Sequence, residues 1–68
     1  MIDKLTVGMK SWIAQDYQDI CESPDEYGIA DVVKEFDNVV DIIEEDVNAK
    51  FELEIPRGLI EDYLREND

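Results

Sequence analysis

A chain of 68 residues, of which 44% are hydrophobic and 37% charged, is long enough to form one small core and too apolar to remain wholly disordered. Nineteen acidic residues outnumber six basic residues and give a net charge of −13. The basic residues are scattered singly, which disfavours direct binding to nucleic acids or anionic membranes, because phosphate contacts require clustered Lys and Arg. Since repulsion between so many acids costs stability, we expect the acidity to serve either solubility or the binding of a basic partner.

Cysteine content and hydropathy indicate the compartment. The single cysteine, Cys21, cannot form an intrachain disulfide, whereas a secreted domain of this size usually contains several cysteines. Charged residues interrupt every apolar stretch before it reaches the length of a signal sequence or a membrane span. We therefore expect a cytoplasmic protein.

The first predicted helix runs from about Thr6 to Glu22. The hydroxyl of Thr6 is a suitable N-cap, and apolar residues then recur at helical spacing, namely Met9, Trp12, Ile13, Tyr17 and Ile20. The alternating pattern of residues 5–9 leaves open a short N-terminal strand, with the helix starting near Ser11. Asp16 interrupts the apolar stripe. Because a buried carboxylate without partners is costly, we expect Asp16 to lie at the edge of the stripe or to be satisfied by a hydrogen bond.

A longer second helix is predicted to begin after residues 23–26. Their sequence, Ser-Pro-Asp-Glu, combines a capping hydroxyl, a proline suited to a first helical turn and two acids that favour the positive end of a helix. Apolar residues follow at spacings of three and four, which predicts an amphipathic helix of about five turns. These residues are Ile29, Val32, Val33, Phe36, Val39, Val40, Ile43 and Val47.

Near residues 50–55 the pattern changes from helical to alternating. Phe51, Leu53 and Ile55 alternate with charged residues, as in a strand with one buried face. Such a segment pairs with the N-terminal segment, pairs with its copy in a dimer, or crosses the core as an extended connection. A short last helix is predicted from Pro56 through Glu66, burying Leu59, Ile60, Tyr63 and Leu64. The sequence thus predicts one mainly α domain, residues 1–68, with three helices and one short extended or strand segment.

Catalytic and metal-binding chemistry finds little support. The chain has no histidine, and its nucleophiles, Thr6, Ser11, Cys21 and Ser23, lie outside any known nucleophile motif. With nineteen acids, pairs of carboxylates occur at every spacing and indicate nothing. A calcium loop aligned on Asp46 fails, because Lys50, Phe51 and Arg57 occupy positions that require ligands or glycine. We therefore expect a protein that is not an enzyme and binds no cofactor or metal.

The segment Phe51-Glu52-Leu53-Glu54-Ile55-Pro56, after an acidic helix and before a short one, resembles the region that follows the second helix of acyl carrier proteins. Those proteins are also small, acidic and helical, and the resemblance covers less than a third of the chain. In that family a phosphopantetheine-bearing serine, within an Asp-Ser-Leu motif, begins the second helix. Counting back from Pro56 places Phe36, Asp37 and Asn38 there. The resemblance thus implies a carrier-like helical domain that lacks the prosthetic-group serine.

The acidic side of the second helix is the candidate partner-binding surface. On a helical wheel, its acids surround the apolar stripe, and Ile42 projects among them as an apolar anchor. From Asp31 to Asp46 the predicted helix rises about 22 Å and carries roughly one acid per 3 Å, close to the phosphate spacing of about 3.4 Å along a DNA strand. The candidate residues are Asp31, Glu35, Asp37, Asp41, Ile42, Glu44, Glu45 and Asp46.

These patterns favour a non-enzymatic interaction module that binds a basic protein surface. In its sharper form, the hypothesis is a nucleic-acid mimic that inhibits a DNA- or RNA-handling protein. The acidic composition is typical of small proteins of phages and mobile elements. An acidic helix is also an ordinary solvated surface. The alternative is a structural or regulatory subunit that forms homo-oligomers, since small cores often need additional burial.

Overall fold

In the computed structural model of the protein, the described residues fold into three α-helices and one short 3₁₀ helix. The structure describes residues 3–66, so residues 1–2 and 67–68 of the predicted domain lie outside it. The elements are α1 (Val7–Glu22), the 3₁₀ helix (Pro24–Tyr27), α2 (Phe36–Phe51) and α3 (Arg57–Glu66). Residues 3–66 contain no strand, and the predicted mainly helical class is confirmed.

Helix α1 begins where the sequence predicts. The Thr6 hydroxyl accepts the backbone N–H of Met9 at 3.2 Å, which satisfies one of the amides that lack a partner at a helix start. Met9, Ile13 and Ile20 are buried along one side, and Trp12 and Tyr17 pack against the same core. Residues 5–9 do not form a strand.

The predicted start of the second helix is wrong. Pro24 begins only a 3₁₀ turn, which ends at Gly28 in the left-handed conformation with φ of 73°. The backbone N–H of Gly28 donates to the carbonyl of Asp25, and the backbone N–H of Ile29 donates to the carbonyl of Pro24. These hydrogen bonds turn the chain away from the helical path. α2 therefore begins at Phe36. Val33, predicted to lie on the apolar side of that helix, is 84% exposed.

The connection between α2 and α3 is held by the end of α2 itself. Glu52 adopts the left-handed conformation with φ of 53°, and its amide bonds to the carbonyl of Asn48. The side-chain oxygen of Asn48 accepts the backbone N–H of Ile55 at 2.7 Å. The predicted alternating burial fails at Leu53, which is 44% exposed, whereas Ile55 is buried and Phe51, the last residue of α2, packs against the core.

Helix α2 is the centre of the core, with α1 packed on one side and α3 on another. It contributes Val39, Val40, Ile43 and Val47, all fully buried. Helix α3 adds Ile60 and Leu64, as its predicted apolar side requires, while Leu59 and Tyr63 are half-buried. None of the described helices is both long enough and apolar enough to cross a membrane.

Candidate functional site

The predicted partner-binding residues do not form one continuous surface. Asp31 and Glu35 precede α2 and stabilise the loop that leads into it. Asp31 accepts the backbone amides of Val33 and Lys34 at 3.0 and 3.2 Å, and Glu35 accepts those of Ala30 and Asp31 at 2.7 and 3.0 Å. The amide of Asp31 and then that of Ala30 lower the pKa of Glu35. Both acids therefore have structural partners, and the prediction that they lie on the second helix is wrong.

Asp37 and Asp41 lie on the side of α2 that meets α3. Arg57, the first residue of α3, forms an ion pair with Asp37 at 3.2 Å and another with Asp41. The same guanidinium also donates a hydrogen bond to the backbone carbonyl of Asp37 at 3.1 Å. Glu44, half-buried, continues this row at helical spacing. Part of the predicted acidic surface is thus neutralised by a base from the next helix.

Ile42, Glu45 and Asp46 lie on the side of α2 that faces α1. The predicted exposed position of Ile42 is wrong, because its side chain is half-buried and packs against the core. Together with Asp16, Ile20, Tyr27 and Asp46, it lines a small cavity of about 80 Å³. Glu45 and Asp46 remain exposed beside it.

Acids from two other elements extend this region, and the helical wheel of α2 alone could not find them. Tyr27, 40% exposed, lies in the electrostatic field of four carboxylates, those of Asp16, Asp19, Glu26 and Asp46. Burial and then these negative charges raise the pKa of Tyr27. We define the acidic α1–α2 face as Asp16, Asp19, Glu26, Glu45 and Asp46, with Tyr27 and Ile42 at its centre. The spacing of Asp16 and Asp19 was a signal, since residues three apart share a helix side.

Asp16 and Asp46 form the contact across this face. Asp46 accepts the indole N–H of Trp12 at 2.9 Å, and Lys50 lies 4.6 Å from the centre of the Trp12 ring. Burial, followed by the hydrogen bond with Asp46 and the charges of Asp46 and Asp19, raises the pKa of Asp16 to about 7. The hydrogen bond from Asp16, and then that from Trp12, lowers the pKa of Asp46. The two pKa shifts thus run in opposite directions, since burial favours the neutral form of Asp16 and hydrogen bonds favour the ionised form of Asp46.

An apolar patch lies on another part of the surface. It surrounds a shallow depression and consists of Tyr17, Val32, Val33 and Phe36, with Arg65 at its edge. The Arg65 guanidinium lies 5.6 Å from the centre of the Phe36 ring and also pairs with Glu61 at 2.7 Å. This patch results from the loop before α2, which turns Val33 outward.

The structure also bears on two other kinds of site, a metal site and the prosthetic-group site of a carrier protein. Within residues 3–66, no three His, Cys, Asp or Glu side chains are arranged to hold a metal ion. The triplet Phe36-Asp37-Asn38, placed by the acyl carrier resemblance at the start of the second helix, does open α2 and contains no serine. Comparison of the chain with protein-family models, curated sequences and solved structures finds no match.

Proposed function

We propose that this protein is a non-enzymatic interaction module that uses the acidic α1–α2 face to bind a basic surface on another protein. The observation that carries the proposal is the convergence of acids from α1, the 3₁₀ helix and α2 around Tyr27 and Ile42. Lys50, a basic residue beside this face, lies over Trp12 and acts on Asp46. The remaining acids there can attract a cation from a partner.

Charge alone does not distinguish this face from the rest of a protein with a net charge of −13. Its composition does, because a half-buried isoleucine and a partly exposed tyrosine lie next to several carboxylates. An apolar and aromatic centre with a charged rim is the usual organisation of a protein–protein interface. A tyrosine ring can also contact a lysine or arginine side chain through its face. We therefore expect a protein partner with an exposed cluster of Lys or Arg.

The test is a pull-down from a native lysate at low salt, followed by elution with a salt gradient. The bait is the wild-type chain, the double variant Glu26→Lys/Glu45→Lys, or a control, Glu54→Lys/Asp62→Lys. All four positions are exposed, and both variants change the net charge equally. Exposed substitutions of this kind seldom unfold a domain. The wild type and the control should retain the same basic protein, and the acidic-face variant should lose it.

Two results would count against the proposal. If both double variants lose the partner equally, binding depends on net charge and the face has no special role. If neither loses it, the acids are a solvated surface. The nucleic-acid-mimic form makes a further demand: the wild-type chain should displace DNA or RNA from the retained protein. If the partner is retained but its nucleic acid is not displaced, the protein is an interaction module and the mimic hypothesis is rejected.

A homo-oligomeric assembly subunit is the second candidate, and the apolar patch favours it. Val33 is 84% exposed beside Val32 and Phe36, and a second copy of the chain could cover these side chains. Sedimentation at low and moderate salt tests this function. An assembly subunit sediments as a multimer in both conditions, and Val33→Ser shifts it to the monomer. A wild-type chain that is monomeric at both salt concentrations rules it out.

A further inference from the structure

The carboxyl group of Asp16 occupies an unusual position between α1 and α2. Among residues 3–66, its Oδ2 is the one buried side-chain nitrogen or oxygen atom without a hydrogen-bond partner. It lines the cavity of about 80 Å³ with Asp46 opposite and Ile20 and Ile42 beside it. An ionised carboxylate in such surroundings would lose its hydration without replacing those hydrogen bonds.

Asp46, across the cavity, has the opposite environment. Trp12 donates its indole N–H to Asp46 at 2.9 Å, and the positive charge of Lys50 lies nearby. Asp46 is also mostly exposed. A proton shared between the two carboxyl groups therefore belongs on Asp16, from which it is donated to the Asp46 carboxylate.

We propose that this carboxyl pair is a proton-dependent latch between α1 and α2: protonated Asp16 closes the interface by donating to Asp46, and its deprotonation loosens the interface at the cavity. Both carboxylates then carry a negative charge on the same small cavity, and the enclosed oxygen of Asp16 has no donor. The latch requires no partner, so its test is independent of the proposed function.

The groups around Asp16 determine the pH range in which the latch acts. They come from α2, the 3₁₀ helix and α1 itself, and are Asp46, Lys50, Glu26, Tyr27 and Asp19. The pKa of Tyr27 is raised from 10.0, so this group stays neutral below that pH. The pKa of Asp46 is lowered from 3.8, so Asp46 stays ionised above that value. Of the three groups with shifted pKa values at this face, Asp16, Tyr27 and Asp46, only Asp16 changes its charge between these limits.

The sign of the effect follows from proton binding. In the unfolded chain, Asp16 titrates near its ordinary value of 3.8, whereas in the folded chain its pKa is about 7. Between these values the folded state binds more protons, so stability falls as the pH rises and levels off above the folded pKa. Asp46 acts in the opposite direction, because its contribution is present above pH 3.8 and is lost only at lower pH.

The experiment measures the melting temperature by circular dichroism from pH 5 to pH 8.5 at constant ionic strength. The variant Asp16→Asn keeps a donor towards Asp46 and cannot titrate. Asp62→Asn, at an exposed position on α3, makes the same chemical substitution outside the carboxyl pair. For the wild type and the Asp62 variant, Tm should fall by about 5 to 10 °C between pH 5 and pH 8, allowing for solvent screening of a half-exposed group. For Asp16→Asn it should remain flat.

A carboxyl NMR titration of the wild-type chain gives an independent answer if the Asp16 variant fails to fold. Asp16 should titrate with a midpoint near neutral pH, and the indole N–H resonance of Trp12 should follow the same midpoint through Asp46. A midpoint near pH 4 for Asp16 would overturn the proposal. So would a folded Asp16→Asn variant whose Tm keeps the wild-type dependence on pH.

Discussion

Replacing Asn48 by alanine tests the contact that closes the end of α2. The side-chain oxygen of Asn48 accepts the backbone N–H of Ile55 at 2.7 Å, and Ile55 is only 1% exposed. In Asn48→Ala this amide loses its acceptor in a place that water reaches poorly, which costs about 1–3 kcal/mol. Alanine is the better helix former and returns up to about 0.7 kcal/mol. The free energy of unfolding should therefore fall by about 1–2 kcal/mol, or a Tm decrease of roughly 4–16 °C.

Asn38→Ala is the matched control. Asn38 lies in the first turn of the same helix, is exposed, and makes only a 3.3 Å side-chain hydrogen bond to Glu35. The two variants change the same chemical group without altering the net charge. Urea unfolding followed by circular dichroism should show a large loss for Asn48→Ala and almost none for Asn38→Ala, with equal m-values. Losses that agree within about 0.5 kcal/mol would refute the argument that Asn48 satisfies the buried amide.

Glu52→Gly should raise the free energy of unfolding, measured with urea, by about 1 kcal/mol, because Glu52 holds a left-handed φ of 53°. The control Glu54→Gly makes the same charge change and should lower the free energy of unfolding. Ile42→Ser should lower the Tm measurably, since Ile42 packs against the core. An unchanged Tm would mean that Ile42 contributes nothing to the core. Raising NaCl from low to moderate concentration should raise the Tm by screening a net charge of −13; a flat curve would contradict the repulsion argument.

Elements with local start signals could be predicted from the sequence. The hydroxyl of Thr6 and the apolar spacing after it locate α1, and Pro56 locates the start of α3. The same reasoning failed for α2, since residues 29–35 have helical spacing but do not form that helix. Gly28 was the available signal, because a glycine just after a short helical turn commonly ends it in the left-handed conformation.

The alternating residues 51–55 show a second limit of pattern reading. Alternation predicts a strand only if nothing local competes, and here the side chain of Asn48 binds the amide of Ile55 and turns the chain towards α3. Asparagine and aspartate often replace regular backbone hydrogen bonds in this way. A sequence pattern records which residues are apolar, and it does not record which backbone amide a polar side chain will bind.

The candidate site was harder to predict than the fold because it depends on which helix faces which acid. A helical wheel of α2 treats Asp41 and Glu45 as equivalent exposed acids. In the structure Asp41 pairs with Arg57, which lies 16 positions further along the chain. Glu45 instead lies beside Ile42 on the acidic α1–α2 face. Only the packing of three helices separates the two.

Because Asp41 and Glu45 lie on different sides of α2, the two sides differ in how readily they can bind a basic partner. A basic surface that approached Asp37 and Asp41 would compete with Arg57, which already binds both carboxylates and is anchored at the start of α3. The same surface at the acidic α1–α2 face would meet Lys50, whose ammonium group lies over an aromatic ring. It would gain the charges of Asp19, Glu26 and Glu45 without displacing an arginine that bridges two carboxylates. For a partner that binds through charge, the favourable side of α2 is therefore the one that faces α1.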